Sequence, residues 1–480
     1  MKKSWLIVVL AILLVGLVAV AAFLYMGKQE ETVEVHDVPH LALTVTEENF
    51  GELELYTALE TLDLQDSTCY DLIMEYLLDH PEVAVTYRVD VGGIKLTNQD
   101  TGAELTAENF EFDMLLSGLE YLPELRFLSF PQTDLAPEQL ETLQMEYPDI
   151  TIAWTVLWQG QEISWDATEL AVETDDAEDI ALLFAYLPQL EDLTFAGTAP
   201  SQEQMLRLKA EYADILFHWN FELFGQEVDS DMKEIDLSGI PMESVDELEK
   251  SLAYFNCLEK VILCDSGLPS SEIDALWKRH PETRFVWNVQ IGRFNVRTDI
   301  TYLMPNQYGY YGTDYYSRLR DDDCTEMKYL VDIVCLDMGH MHITDISFVK
   351  YMPNLEYLVV GDSRVKDLSP LAGAQKLRYL EAFLSGVEDI SALAECPALE
   401  DVNICHNLIK EYSALMELEN LNNIWLAGNY ISKDDRALLE AAHPDAKIVY
   451  DLEGSTGAGW RELPNYYAMR DILGMPYMVG

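Results

Sequence analysis

The spacing of apolar residues keeps two clocks along this chain. In the first part, short runs of alternating apolar and polar residues are separated by stretches spaced at three and four, and the whole pattern recurs. "HPEVAVTYRV" (80–89), "YPDITIAWTV" (147–156), "YADILFHWNF" (212–221) and "HPETRFVWNV" (280–289) are near copies, and "HPDAKIVY" (443–450) is most of a fifth. Leu105, Leu170, Ile235 and Ile300 return at intervals of 65 residues. Each repeat reads as a short strand, a helix that opens on acidic residues as the helix dipole favours, and a strand of pattern LxxLxF. A second helix follows ("APEQLETLQMEY", 136–147), with proline in its first turn. The recurring stretch comes next as a strand, entered through a proline that stops the helix. A hairpin then turns at Gly160, Gly225 or Gly292.

Beyond residue 332 the period shortens. Ile333, Leu355, Leu377, Leu399 and Leu421 lie 22 residues apart in the frame L-x-x-L-x-L-x-x-N-x-I. Asn407 and Asn429 hold the asparagine position, where the side chain can satisfy backbone groups in the bend after the strand; Met341, Ser363 and Ser385 stand there in the first three coils. The first, fourth and sixth positions point inward, and the third, fifth and seventh face outward, because side chains alternate along a strand. One coil cannot bury both its faces, so copies must stack. The recurring stretch is therefore expected to be one strand of a stacked parallel ladder, with its fifth copy closing the array. The aromatic and methionine-rich tail, 451–480, is expected to cap the last coil and hide its edge.

On this frame, on "LEDVNICHNLI" (399–409) and "LNNIWLAGNYI" (421–431), and on "VKDLSPL" and "VEDISAL", the chain resembles the leucine-rich repeat family, specifically its 22-residue, internalin-like class, over 333–442. The 65-residue repeats look like a divergent version of it. The layout is similar to that of membrane-anchored leucine-rich repeat proteins of Gram-positive bacteria. The resemblance implies an α/β fold: a leucine-rich repeat solenoid with a parallel concave sheet, here preceded by one N-terminal transmembrane helix.

That helix is read from Trp5 to Met26, an uncharged run preceded by Lys2 and Lys3. At roughly 1.5 Å per residue it would span about 33 Å, enough for a bilayer core. The lysines favour a cytoplasmic N-terminus and place the remainder outside the cytoplasm. "AVAA" (19–22) leaves cleavage as a signal peptide open. The expected divisions are a cytoplasmic end (1–4), a signal anchor (5–26), a linker (27–40), divergent repeats (41–300), a tyrosine-rich connector (301–332), 22-residue repeats (333–450) and the C-terminal cap (451–480).

Charge narrows the partners. With 85 acidic and 30 basic residues, the formal net charge is -55. Nucleic acid, whose phosphates need Lys and Arg, is excluded as a partner. A protein or peptide ligand carrying basic residues suits the field better. Seven scattered cysteines, with no CxxC pair, argue against a disulfide framework and a zinc ribbon. HExxH, GxSxG, GxxxxGK[ST] and GxGxxG are all missing, so no enzyme is read, and no cofactor or metal. His340 and His342 near Cys335 are a weak metal pair. Asp345, Asp367 and Asp389, also 22 apart, are read as caps of the short helical turns that follow rather than as a calcium ladder.

Two binding surfaces are expected. The outward positions of the 22-residue coils give Asp337, Tyr357, Val359, Tyr379, Glu381, Phe383, Asp401, Asn403 and Trp425, aromatics beside carboxylates on the concave sheet. The connector loop gives Tyr308, Tyr310, Tyr311, Tyr315 and Tyr316. The function expected is protein or ligand binding at the cell surface by a membrane-anchored, extracytoplasmic chain. The alternatives are a structural assembly subunit of a membrane complex, or a wall-polymer hydrolase using carboxylates such as Asp337 and Glu381.

Overall fold

The computed structural model describes residues 36–106, 111–305 and 318–475. The expected anchor, 5–26, lies outside the described residues, as do Tyr308, Tyr310, Tyr311, Tyr315 and Tyr316. Among the described residues no helix is long and apolar enough to cross a membrane. The chain divides into two compact units, 1–193 and 194–480.

In the first unit, one repeat runs β1 (Gly102–Glu104), α1 (Phe112–Leu119), β2 (Phe127–Phe130), α2 (Pro137–Glu146), β3 (Thr151–Trp158) and β4 (Gln161–Ser164). The apolar members of the LxxLxF pattern and of the recurring stretch, Leu128, Phe130, Ile152 and Trp154, are buried. β1 pairs with β2, and β2 with the first half of β3, in parallel; the second half of β3 runs into an antiparallel hairpin with β4. The turn uses Gln159 and Gly160, with φ of 48° and 81°, the left-handed geometry of tight hairpins. The preceding repeat has the same order: His40–Ala42, Thr61–Leu64 and Ala84–Asp90 in parallel, then Lys95–Thr97 antiparallel.

Here the expectation of one continuous ladder is corrected. Among the described residues, β1 to β4 form a four-stranded sheet that no strand of a following repeat joins. After β4 the Trp165 N–H returns to the Trp154 carbonyl, and in three other repeats the residue that leaves the hairpin closes the edge twice over. Asn98 donates its N–H to the Tyr87 carbonyl and accepts the Tyr87 N–H on its side chain. Ser230 does the same for Trp219, and Thr298 for Trp287. The hydrogen-bonding groups that a next coil would use are already taken.

In the second unit, the 22-residue frame does build a continuous sheet. Its strands are β5 (Tyr302–Leu303), β6 (Cys335–Asp337), β7 (Tyr357–Val359), β8 (Tyr379–Glu381), β9 (Asp401–Asn403), β10 (Asn423–Trp425) and β11 (Lys447–Val449). All neighbours are parallel. Cys335 faces Tyr357, which faces Tyr379, then Asp401, then Asn423, so register and sequence period coincide. The fifth copy of the recurring stretch supplies β11, the last strand, preceded by α3 (Lys433–Ala442). Leu336, Leu358, Leu380, Val402 and Ile424, the fourth positions, are fully enclosed.

The bend after each strand depends on position eight. His340, Asp362, Leu384, His406 and Gly428 all adopt positive φ, from 50° to 75°. Next to it, Asn407 accepts the N–H groups of Ser385, Gly386 and Val387 and donates to the carbonyls of Ala382 and Ile404. Asn429 repeats part of this, and Ser363 and Ser385 bond the Val360 carbonyl through their hydroxyls. Asp345, Asp367 and Asp389 each accept the N–H two residues on, at 2.7 to 2.8 Å, opening the turns at Ser347, Ser369 and Ser391. His340 pairs with Asp362 at 2.7 Å, and Cys335 is buried in the ladder. All seven cysteines are free thiols, five of them buried.

A covered ladder face as the candidate functional site

Alternation puts the third, fifth and seventh positions on one side of β6 to β10, as expected. Exposure is where the structure departs from expectation. Tyr379, Asn403 and Trp425 are 0% exposed; Tyr357, Val359, Glu381, Phe383 and Asp401 are buried, and Asp337 is partly buried. The cause is the tail. After β11, residues 450–459 turn back through left-handed Ala458 and Gly459, and α4 (Pro464–Ile472) lies over the ladder face. Trp460, Leu463, Tyr466, Met469 and Leu473 pack into one apolar cluster with Tyr357, Tyr379, Phe383, Cys405 and Trp425. The segment expected to cap the last coil is thus a cover for the face expected to be free.

Small residues make room for it. Between the rings of Tyr379 and Trp425, the intervening coil offers only Asp401, Asn403 and Cys405. Trp460 fills this gap, its centroid 5.2 Å from Tyr379 and 5.1 Å from Trp425. Its indole N–H donates to Glu381 Oε1 at 2.7 Å, and the Tyr379 hydroxyl donates to the same oxygen. Asn465 Nδ2 donates to Asp401 Oδ2 at 3.0 Å and to Glu400 Oε2 at 2.8 Å. The glycine-rich turn is held from the ladder side: Asn403 Nδ2 to the Ser455 carbonyl at 2.8 Å, Trp425 Nε1 to Gly457 at 3.0 Å and Lys447 Nζ to Ala458 at 2.6 Å.

The electrostatics are unusual for a solvated sheet. Burial pushes the Glu381 carboxyl above its ordinary value, against the opposing bonds from Tyr379 and Trp460. Burial likewise raises Asp401, opposed by Asn423 and Asn465. Asp337 is raised by burial and countered by the Gly339 N–H, His340 and Arg470. Glu400 goes the other way: burial opposes it, yet Arg378 and Asn465 hold it below the ordinary range. One face thus carries aromatic rings and three carboxyls in a low-dielectric setting, occupied by a peptide segment that approaches them with indole, carboxamide and guanidinium groups.

The role of the tail was the main thing missed from sequence. Its signal was present: α4 buries Asn465, Tyr466, Met469 and Arg470, one face at helical spacing that mixes apolar residues with donors. Donors on a buried helix face call for acceptors opposite.

No protein-family model and no curated protein matches the chain. Among solved structures, it is similar to an internalin of Listeria monocytogenes (17% identity, TM-score 0.29, covering 75% of this chain and 84% of that one). It is also similar to a leucine-rich repeat protein of Leptospira interrogans (13% identity, TM-score 0.27, covering 88% and 97%) and to internalin C2 of Listeria monocytogenes (20%, 0.25, covering 46% and 80%). The architecture stands on the 22-residue strand register itself, which is that of a leucine-rich repeat solenoid over β6 to β10.

Proposed function

We propose that this is a membrane-anchored, extracytoplasmic leucine-rich repeat protein whose ladder face binds a protein or peptide ligand bearing basic and aromatic residues. The observation that carries the reading is the face itself. Asp337, Glu381 and Asp401 lie beside Tyr357, Tyr379 and Trp425, and the face already holds a peptide segment by ring packing and by donors on its carboxyls. Such a surface pairs aromatic anchors with charge selection, the combination found at interface hot spots. The anchor rests on the uncharged run 5–26 and the lysines before it.

The test is capture of surface proteins and wall glycans by the purified chain at physiological salt, beside an Asp337→Asn, Glu381→Gln, Asp401→Asn variant. These substitutions remove charge and keep shape, whereas alanine at the enclosed Tyr379 or Trp425 would damage the ladder. A partner held by the native chain and lost by the variant supports the reading. Equal capture by both removes the ladder face as the site.

A second reading, an assembly subunit, draws on Leu78 and Met145. They hold equivalent places in successive repeats and are 81% and 67% exposed. Co-purification from detergent at fixed stoichiometry, lost on changing both to Gln, would favour it.

A further inference from the structure

Resting on the binding reading above, we propose that residues 454–473 are an intramolecular stand-in for the ligand, a cover that a basic, aromatic-bearing segment of a protein partner displaces from the ladder face.

The ladder is complete without the cover. Among the described residues β5 to β11 pair only with one another, and α4 adds no strand. The polar contacts join side chains to side chains or to carbonyls, the kind a different peptide can reproduce: the Trp460 indole on Glu381, Asn465 on Asp401, and the Gly457 carbonyl on the Trp425 indole. The tether is glycine-rich: a Cβ would meet nothing within 4 Å at Gly454, but Leu452 at 3.0 Å from Gly457 and Lys447 Nζ at 3.2 Å from Gly459. From Ser455 onward it is held by the ladder-side bonds.

The closed arrangement also carries a built-in cost. Glu381 and Asp401 are buried and receive hydrogen bonds from Tyr379, Trp460, Asn423 and Asn465, all neutral groups. A carboxylate held away from water and hydrogen-bonded only by neutral donors is poorly compensated, even with Arg461 in the field of Glu381 and Arg378 in that of Asp401. A lysine or arginine delivered by a partner would form charge-assisted bonds at the same oxygens. The cover is therefore a weaker match to the face than a cationic segment of the same shape. A site occupied in cis binds an outside ligand with an affinity reduced by the fraction of time it is open.

Hydrogen exchange on the unmodified full chain is the first test. Amides of 464–473 should exchange at least about tenfold faster than those of β7, β8 and β9, through local opening. Equal protection would show that the cover leaves only when the ladder unfolds, and would overturn the proposal. The second test uses a labelled synthetic peptide of residues 454–475. It should bind the full chain carrying Trp460→Ala and Tyr466→Ala at least about tenfold more tightly than the native full chain, and a peptide carrying its own Trp460→Ala should not bind. Failure of the native peptide to bind the opened chain, with ladder amides still protected, would also overturn it. Binding of that peptide without capture of any outside basic segment would leave the cover displaceable and count against the ligand-binding reading alone.

Discussion

Trp460 and Glu381 are 79 residues apart in the chain and meet through a 2.7 Å hydrogen bond from indole to carboxylate, with both side chains almost wholly buried. The bond joins the tail to the third 22-residue coil and centres the apolar cluster over the ladder. Trp460→Ala should remove about 3–5 kcal/mol from closure of the cover, the usual cost of deleting a buried tryptophan. Protease cleavage within 451–475 should rise sharply while β6 to β10 stay protected. Simultaneous loss of ladder protection would show that cover and ladder form one cooperative block.

Closure should depend on pH. In the closed state burial raises Glu381 above its ordinary 4.5 and Asp401 above its ordinary 3.8. A carboxyl raised in one state binds its proton more tightly there, so closure is fully favoured below the ordinary values and weakens as pH rises through the raised ones. The groups around Glu381 are Tyr379, Trp460, Asp337 and Arg461; those around Asp401 are Asn423, Asn465, Glu400 and Arg378. Exchange of 464–473, corrected for its intrinsic rate, should be slower at pH 4.5 than at pH 7, and Glu381→Gln should remove much of the difference. Fold stability, as distinct from closure, has a contribution of opposite sign from Glu249. Arg279 holds it at about 2, so its contribution is present above 4.5 and lost as pH falls toward 2.

Asn407 satisfies five backbone groups of two neighbouring bends. Asn407→Ala should cost about 3 kcal/mol or more, since buried N–H and C=O groups left without partners cost about 1–3 kcal/mol each. Asn407→Ser should cost less, because Ser363 and Ser385 occupy the same position in neighbouring coils and bond a carbonyl with their hydroxyls. Thermal melting of the three proteins checks the order.

Gly428 takes the left-handed bend with φ of 75°, and a Cβ there would lie 2.3 Å from His406 Nδ1. Gly428→Ala should destabilise the chain by the left-handed penalty, about 1–2 kcal/mol, plus the clash. Adding His406→Ala should recover the clash and leave the backbone penalty. A double-mutant cycle showing simple additivity would contradict the contact.

Legibility from sequence followed periodicity. The 22-residue register, the inward fourth positions, the Asn bends and the Asp turns were all readable, because each is set within one coil or between neighbours. The breaks between the 65-residue repeats were not, because they depend on Asn98, Ser230 and Thr298 folding back onto the middle of the recurring strand. The outward residues of the ladder were placed on the correct face but judged open to solvent. What covers them begins at Gly454, just after the last repeat, and no period links Trp460 to Glu381. Arg470 and Asn465, donors on the buried face of the tail helix beside Tyr466 and Met469, were the available hint.

The hairpins that seal each 65-residue repeat have a mechanical consequence. Pulled from its two ends, this part of the chain would not peel open like a zipper, since among the described residues no strand pairing runs from one sealed sheet into the next. It would yield in discrete steps, each releasing about 220 Å of chain at ~3.4 Å per residue. The seven-stranded ladder, its pairing unbroken through strands of two or three residues, would instead open progressively, one coil after another.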